Sequence, residues 1–242
     1  MGDWVKLVRE VIPHLSNALH KGQMGRIGVV GGSKERALFC CNYSALLSSA
    51  AQAIKCYSPE LIVHPTLDND LTESLKWASK MHSVVIGPGL GVSENILNTI
   101  EMPTAYASLQ RTRNWFLGAG PSDDPQETSK LAAALGNLTI IRKGPKDIIT
   151  DGENILFCDT DGSPRRCGGQ GDLLSGAAAV FSHWFSEKPP MCSPSAPMIA
   201  GLAACILTRR CAERAFSKYG RGTLTTRMID EIATAFDELF GD

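Results

Sequence analysis

Apolar residues recur along this chain in two rhythms, and their alternation predicts an α/β fold. Trp4, Val5, Leu7, Val8, Val11 and Ile12 repeat at helical spacing, and Pro13 closes that helix. Ile27 to Val30 is a short β-branched run that stops at Gly31-Gly32-Ser33, the strand-then-glycine opening of an α/β unit. Ala37 to Ile54 is small, apolar and helical in pattern. Leu61 to Val63 reads as a strand ended by Pro65, and Leu71 to Lys80 as a helix. Ser83 to Gly91 reads as a buried strand entering a glycine turn, and Asn95 to Glu101 as a helix. Met102 to Pro125 mixes Pro, Gly, Ser and Asp and predicts no strand.

Regularity returns with a helix over Gln126 to Leu135 and a strand over Leu138 to Arg142 that delivers Lys143-Gly144. DIITDGENILFC predicts a β-hairpin about Asp151-Gly152. An apolar helix follows Asp172. Pro189 to Pro197 is a Pro/Ser-rich loop, and helices over Pro197 to Phe216 and Thr226 to Phe240 flank a turn near Gly220 to Gly222. Strands alternating with helices imply a mainly parallel sheet.

Composition narrows the function classes. With 242 residues the chain can bury a sizeable core, read here as one domain over 1–242. A net charge of −1 gives no electrostatic ground for nucleic acid or an anionic membrane as partner, and no apolar run is long enough to span a bilayer. The eight cysteines show no C-x-x-C pair and no zinc-like spacing; Cys40, Cys41, Cys205 and Cys211 fall in apolar helical patterns that predict core packing. His64 has no partner visible in sequence and reads as packed or partly solvated.

The candidate chemistry sits in DGSPRRCGGQGDLLSG, residues 161–176. Gly168, Gly169 and Gly171 let backbone N–H groups converge, and a helix opening there adds its own unpaired donors and positive dipole end. Arg165 and Arg166 supply forks suited to phosphate oxygens. A carboxylate repels phosphate, so Asp172 makes sense as a base that takes a proton from an attacking hydroxyl. The plain alternative is a Gly-rich turn with Asp172 as N-cap.

KGQMGRIGVVGGS, YSPELIVHP, VVIGPGLG, IIRKGPKDII and above all GSPRRCGGQGDLLSG resemble the ATP-dependent NAD(P)H-hydrate dehydratases, the carbohydrate-kinase-like domain of YjeF C-terminal type. That resemblance implies a ribokinase-like three-layer α/β/α sandwich. It implies the (S)-hydrates of NADH and NADPH as substrates, with ATP and Mg²⁺ as cofactors. It implies ATP contacts from Lys143, Gly144, Pro145, Lys146 and Asp147. Further ATP contacts fall on Gly162, Ser163, Pro164, Arg165, Arg166, Cys167, Gly168, Gly169, Gln170 and Gly171. Asp172 falls at the substrate as catalytic base, and Gly89 and Gly91 at substrate-contact positions. No dedicated metal site is readable. Homo-oligomerisation, and cytoplasm against mitochondrion as the compartment, stay open.

Two departures stand out. The family's strands ending Asp-Ala-Asp-Gly and Thr-Pro-Asn, with the Glu-Phe helix that touches substrate, have no counterpart between Gly91 and Pro125. A helix–strand passage is also absent between Gly32 and Tyr57. Both losses predict a sheet short of strands, and impaired substrate binding beside intact nucleotide loops. A ribokinase-like small-molecule kinase and a non-catalytic ATP-binding relative are the rival readings.

Overall fold

The computed structural model describes residues 2–14, 17, 25–31, 43–46, 51, 54–56, 62–65, 71–87, 113–118, 124–188 and 194–241. Its strands are β1 (Ile27–Gly31), β2 (Tyr43–Leu46), β3 (Ile62–His64), β4 (Ser83–Ile86), β5 (Arg113–Gly118), β6 (Thr139–Arg142), β7 (Asp147–Thr150) and β8 (Ile155–Cys158). They form one sheet in the order β3-β2-β1-β4-β5-β6-β7-β8. Pairings from β3 to β6 are parallel, and β6-β7-β8 is antiparallel. The helices are α1 (Gly2–Val11), α2 (Leu71–Ala78), α3 (Pro125–Ala134), α4 (Gln170–Glu187), α5 (Ala196–Tyr219), α6 (Thr225–Ile229) and α7 (Ile232–Phe240).

Residue alternation shows why the sheet is covered twice. Val29, Val85, Ile141 and Ile149 point into one large core with Val8 of α1, Leu174 and Phe181 of α4, Ala204 of α5 and Phe240 of α7. Gly28 and Ile140, one residue out of step, face the other way. A Cβ on Gly28 would stand 3.2 Å from the Trp77 ring of α2 and 3.1 Å from Met81. Ile140 packs with Ala132 of α3. Burial on both faces explains the near-continuous Val/Ile runs of β1 and β4. Trp4, Phe181, Phe236 and Phe240 pack edge-on or stacked at 5.3–6.4 Å and tie α1, α4 and α7 together.

The structure corrects three expectations. Of the stretch read as helical over Ala37 to Ile54, Ala51 and Ile54 are helical, but Tyr43–Leu46 forms β2, paired on both sides, so a strand does lie between Gly32 and Tyr57. Met102 to Pro125, read as strandless, supplies β5, which closes the sheet between β4 and β6. Two neighbours offering unpaired backbone groups impose a strand where local pattern does not. The last predicted helix is two, α6 and α7, with Glu231 between them. The hairpin is as expected, with Gly152 at φ 92° and Asp151 accepting from the N–H groups of Glu153 and Asn154. Cys205 and Cys211 are buried, and His64 lies against Trp77. Cys40, Cys41 and the predicted helix over Asn95 to Glu101 lie outside the described residues.

Candidate functional site

Parallel strands all leave the sheet at the same edge, so Gly31, Gly87, Gly118 and Lys143 exit side by side, where ligands bind in open α/β sheets. A cleft of about 1070 Å³ opens at the β6 end of that edge. Its walls come from three segments far apart in sequence: the turn after β6, the loop from β8 into α4, and the α5–α6 region.

The turn after β6 is tight. A Cβ on Gly144 would lie 2.9 Å from the Lys146 carbonyl oxygen, and Gly144 N–H donates to Asp147 Oδ1 at 3.0 Å. Lys143 reaches across the cleft; its Nζ stands 3.0 Å from where a Cβ on Gly171 would be. Gly171 therefore leaves room for an ammonium beside Asp172.

The loop from β8 is built from its own side chains. Arg165 N–H donates to the buried Ser163 Oγ at 3.0 Å, and Gln170 Nε2 donates to the Arg165 carbonyl at 3.2 Å. Gly169 takes the N-cap of α4 at φ 86°, with the space for a Cβ filled by Thr225 at 3.2 Å. Thr225 Oγ1 also donates to the Gly168 carbonyl and sits 3.4 Å from Cys167 Sγ. Asp172 is thus the third residue of α4 rather than its cap. The first-turn N–H groups of Gln170 and Gly171 have no partner within the helix and are available to an anion.

Most residues predicted for ATP converge here: Lys143, Gly144, Pro145, Asp147, Gly162, Ser163, Arg166, Cys167, Gly168, Gly169, Gln170 and Gly171 line the cleft with Asp172. Lys146, Pro164 and Arg165 are exposed beside it without lining it. Arg165 instead folds onto its own loop, donating to the Arg166 carbonyl at 3.1 Å. Gly89 and Gly91 lie outside the described residues. Asp147 is buried and committed to the protein, since Arg209 Nε donates to its Oδ2 at 2.8 Å. Burial works against the Arg209 charge, but the hydrogen bond and charge of Asp147 outweigh it and raise its pKa.

Sequence reading missed Thr208 and Arg209 on α5 and Leu224, Thr225, Thr226 and Ile229 around α6, all of which line the cleft. Nothing in their local pattern marks them, because the fold brings them in from far beyond the glycine loop in sequence. Among the described residues no three His, Cys, Asp or Glu side chains gather to hold a metal ion, and no helix is long and apolar enough to cross a membrane.

The model of the carbohydrate-kinase family described as NAD(P)H-hydrate dehydratase matches residues 114–234. The ATP-dependent (S)-NAD(P)H-hydrate dehydratase of Mus musculus is 39% identical over 296 positions, covering 99% of this chain and 86% of the relative. The Homo sapiens enzyme of that name is 38% identical, covering 99% and 85%. The alignment with the mouse protein is longer than the 242 residues of this chain, so the relative carries segments that this chain lacks. A hypothetical protein of Streptococcus mutans and a ribokinase-like superfamily protein of Enterococcus faecalis superpose with a TM-score of 0.67 over 98% of this chain, at 21% and 18% identity. They establish the ribokinase-like fold. By residue identity along nearly its whole length, the chain belongs to the NAD(P)H-hydrate dehydratase family.

Proposed function

We propose that this chain uses ATP to dehydrate the (S)-hydrates of NADH and NADPH, restoring the reduced nucleotides. One observation carries the reading: a single cleft brings a lysine, a glycine loop at a helix N-terminus and a carboxylate three residues into that helix to one place. Arg166, Lys143 and the α4 N-terminus would hold the phosphate chain, which suits a group carrying several negative charges. Leu224 and Ile229, 54% and 38% exposed at the cleft, offer an apolar surface for the purine base.

Asp172 takes the proton of the ring hydroxyl, and the hydroxyl oxygen attacks the γ-phosphorus as the bond to ADP breaks. Phosphate then leaves the ring carbon with its bonding electron pair, and a proton lost from the adjacent carbon restores the double bond. Hydroxide is a poor leaving group and phosphate a good one, so the transfer drives the dehydration. Mg²⁺ would accompany the nucleotide and offset the charge of its phosphates.

Product analysis separates this from a simple kinase. Phosphorus NMR of a reaction with hydrated NADH and ATP–Mg²⁺ is expected to show ADP and free phosphate in equal amounts; a persisting phosphomonoester of the substrate would support the kinase instead. A second reading, ATP binding without turnover, draws on the segments that the mouse relative has and this chain lacks.

A further inference from the structure

Arg209 lines the cleft, yet four of its five N–H donors go to the protein. Nε donates to Asp147 Oδ2 at 2.8 Å, Nη1 to the Thr160 carbonyl at 3.0 Å, and Nη2 to the carbonyls of Gly144 at 3.1 Å and Pro145 at 3.0 Å. Those acceptors belong to different loops. Gly144 and Pro145 lie in the turn after β6 and Asp147 opens β7, whereas Thr160 lies in the loop that runs from β8 through Gly162 and Ser163 to the glycines of α4. The aliphatic stem adds a third tie, because the space for a Cβ on Gly162 ends 3.5 Å from Arg209 Cγ.

We propose that Arg209 is the positioning residue that locks the two nucleotide loops into one geometry, so that Lys143 and the α4 N-terminus face the same phosphate chain. This rests on the nucleotide reading of the cleft. Asp147 neutralises the guanidinium, so its role is to fix distances rather than to bring charge to the phosphates. A planar fork meets four acceptors at once, which a lysine ammonium on a flexible stem cannot do. The neighbouring residue makes the contrast: Arg210 turns away to pair with Glu213 and Glu238 and does not line the cleft.

The test uses the full chain as wild type, Arg209→Met, Arg209→Lys and Arg210→Gln, with calorimetric titration of ATP–Mg²⁺ and hydrogen exchange without nucleotide. Arg209→Met is expected to fold, to bind ATP at least tenfold more weakly, and to speed exchange over 143–147 and 158–163 but not over 232–240. Arg209→Lys should fall between Met and wild type, and Arg210→Gln should match wild type. Where turnover is measurable, KM for ATP should rise more than kcat falls. A folded Arg209→Met that binds ATP within twofold of wild type overturns the inference, as does faster exchange across the whole chain with binding lost only in proportion. Wild type that binds ATP without restoring NADH defeats the dehydratase reading alone and leaves Arg209 judged on binding. Wild type that binds no ATP overturns both.

Discussion

Helix α5 carries two sets of arginine–carboxylate pairs, and they do different work. On the cleft side, Arg209 and Asp147 are nearly buried, with side-chain exposures of 12% and 9%, and Arg209 joins two loops through their carbonyls. On the α7 side, Arg210, Arg214 and Lys218 reach Glu231 and Glu238 across the helix–helix seam, and Arg210 also pairs with Glu213 one turn along α5. The first set shapes a site. The second holds a buttress behind it. Ion pairs of one chemistry thus differ in consequence according to what they immobilise, and substitutions on the two sides should separate activity from stability.

The largest effect belongs to the cleft. Asp172→Asn keeps the size of the side chain and removes the base, so kcat should fall by about 10²- to 10⁴-fold while ATP binding persists. Initial rates with hydrated NADH check this. Lys143→Met should weaken ATP by about 10- to 100-fold, the value of a lost charge-assisted hydrogen bond. Titration calorimetry reads it directly.

The buttress should answer in the opposite way. Glu231 is 3% exposed and accepts from Lys218 Nζ at 2.6 Å and Arg214 Nε at 3.0 Å. Glu231→Gln should cost about 2 kcal/mol, or roughly 4–8 °C in a chain of this size, with kcat/KM at 25 °C unchanged. The hydrogen bond from Lys218, opposed by burial and reinforced by Arg214, holds the Glu231 carboxyl below its ordinary pKa of 4.5. The unfolded chain therefore takes up the proton first. This contribution is fully present above about pH 4.5, shrinks as pH falls through the folded value, and is absent in Glu231→Gln. Thermal melts of both proteins between pH 3 and 7 measure it. The smallest effect is that of Arg210→Gln, whose half-exposed pairs should be worth under about 1 kcal/mol.

The two sides were also unequally legible in the sequence. The glycine loop and the Lys143 turn can be read directly because their chemistry is local: Gly169 needs a left-handed backbone, and Lys143 follows a clean β-branched strand. The helix expected from Gln126 opens one residue earlier, at Pro125, with the Asp124 side chain accepting from Gln126 N–H at 2.9 Å. The Arg209–Asp147 pair spans 62 positions and no pattern announces it. β2 and β5 were hidden for a related reason. Tyr43–Leu46 sits in a run with helical spacing and Arg113–Gly118 among turn-forming residues, and each becomes a strand only because parallel neighbours flank it on both sides. The turn over Gly89 and Gly91, expected to contact substrate, lies outside the described residues.

Absorbance at the reduced-nicotinamide band, followed with purified chain, hydrated NADH and ATP–Mg²⁺ beside Asp172→Ala, tests the central claim most directly. Recovery of absorbance that requires both ATP and Asp172 is the predicted result. A folded chain that binds ATP and leaves the absorbance flat would contradict it.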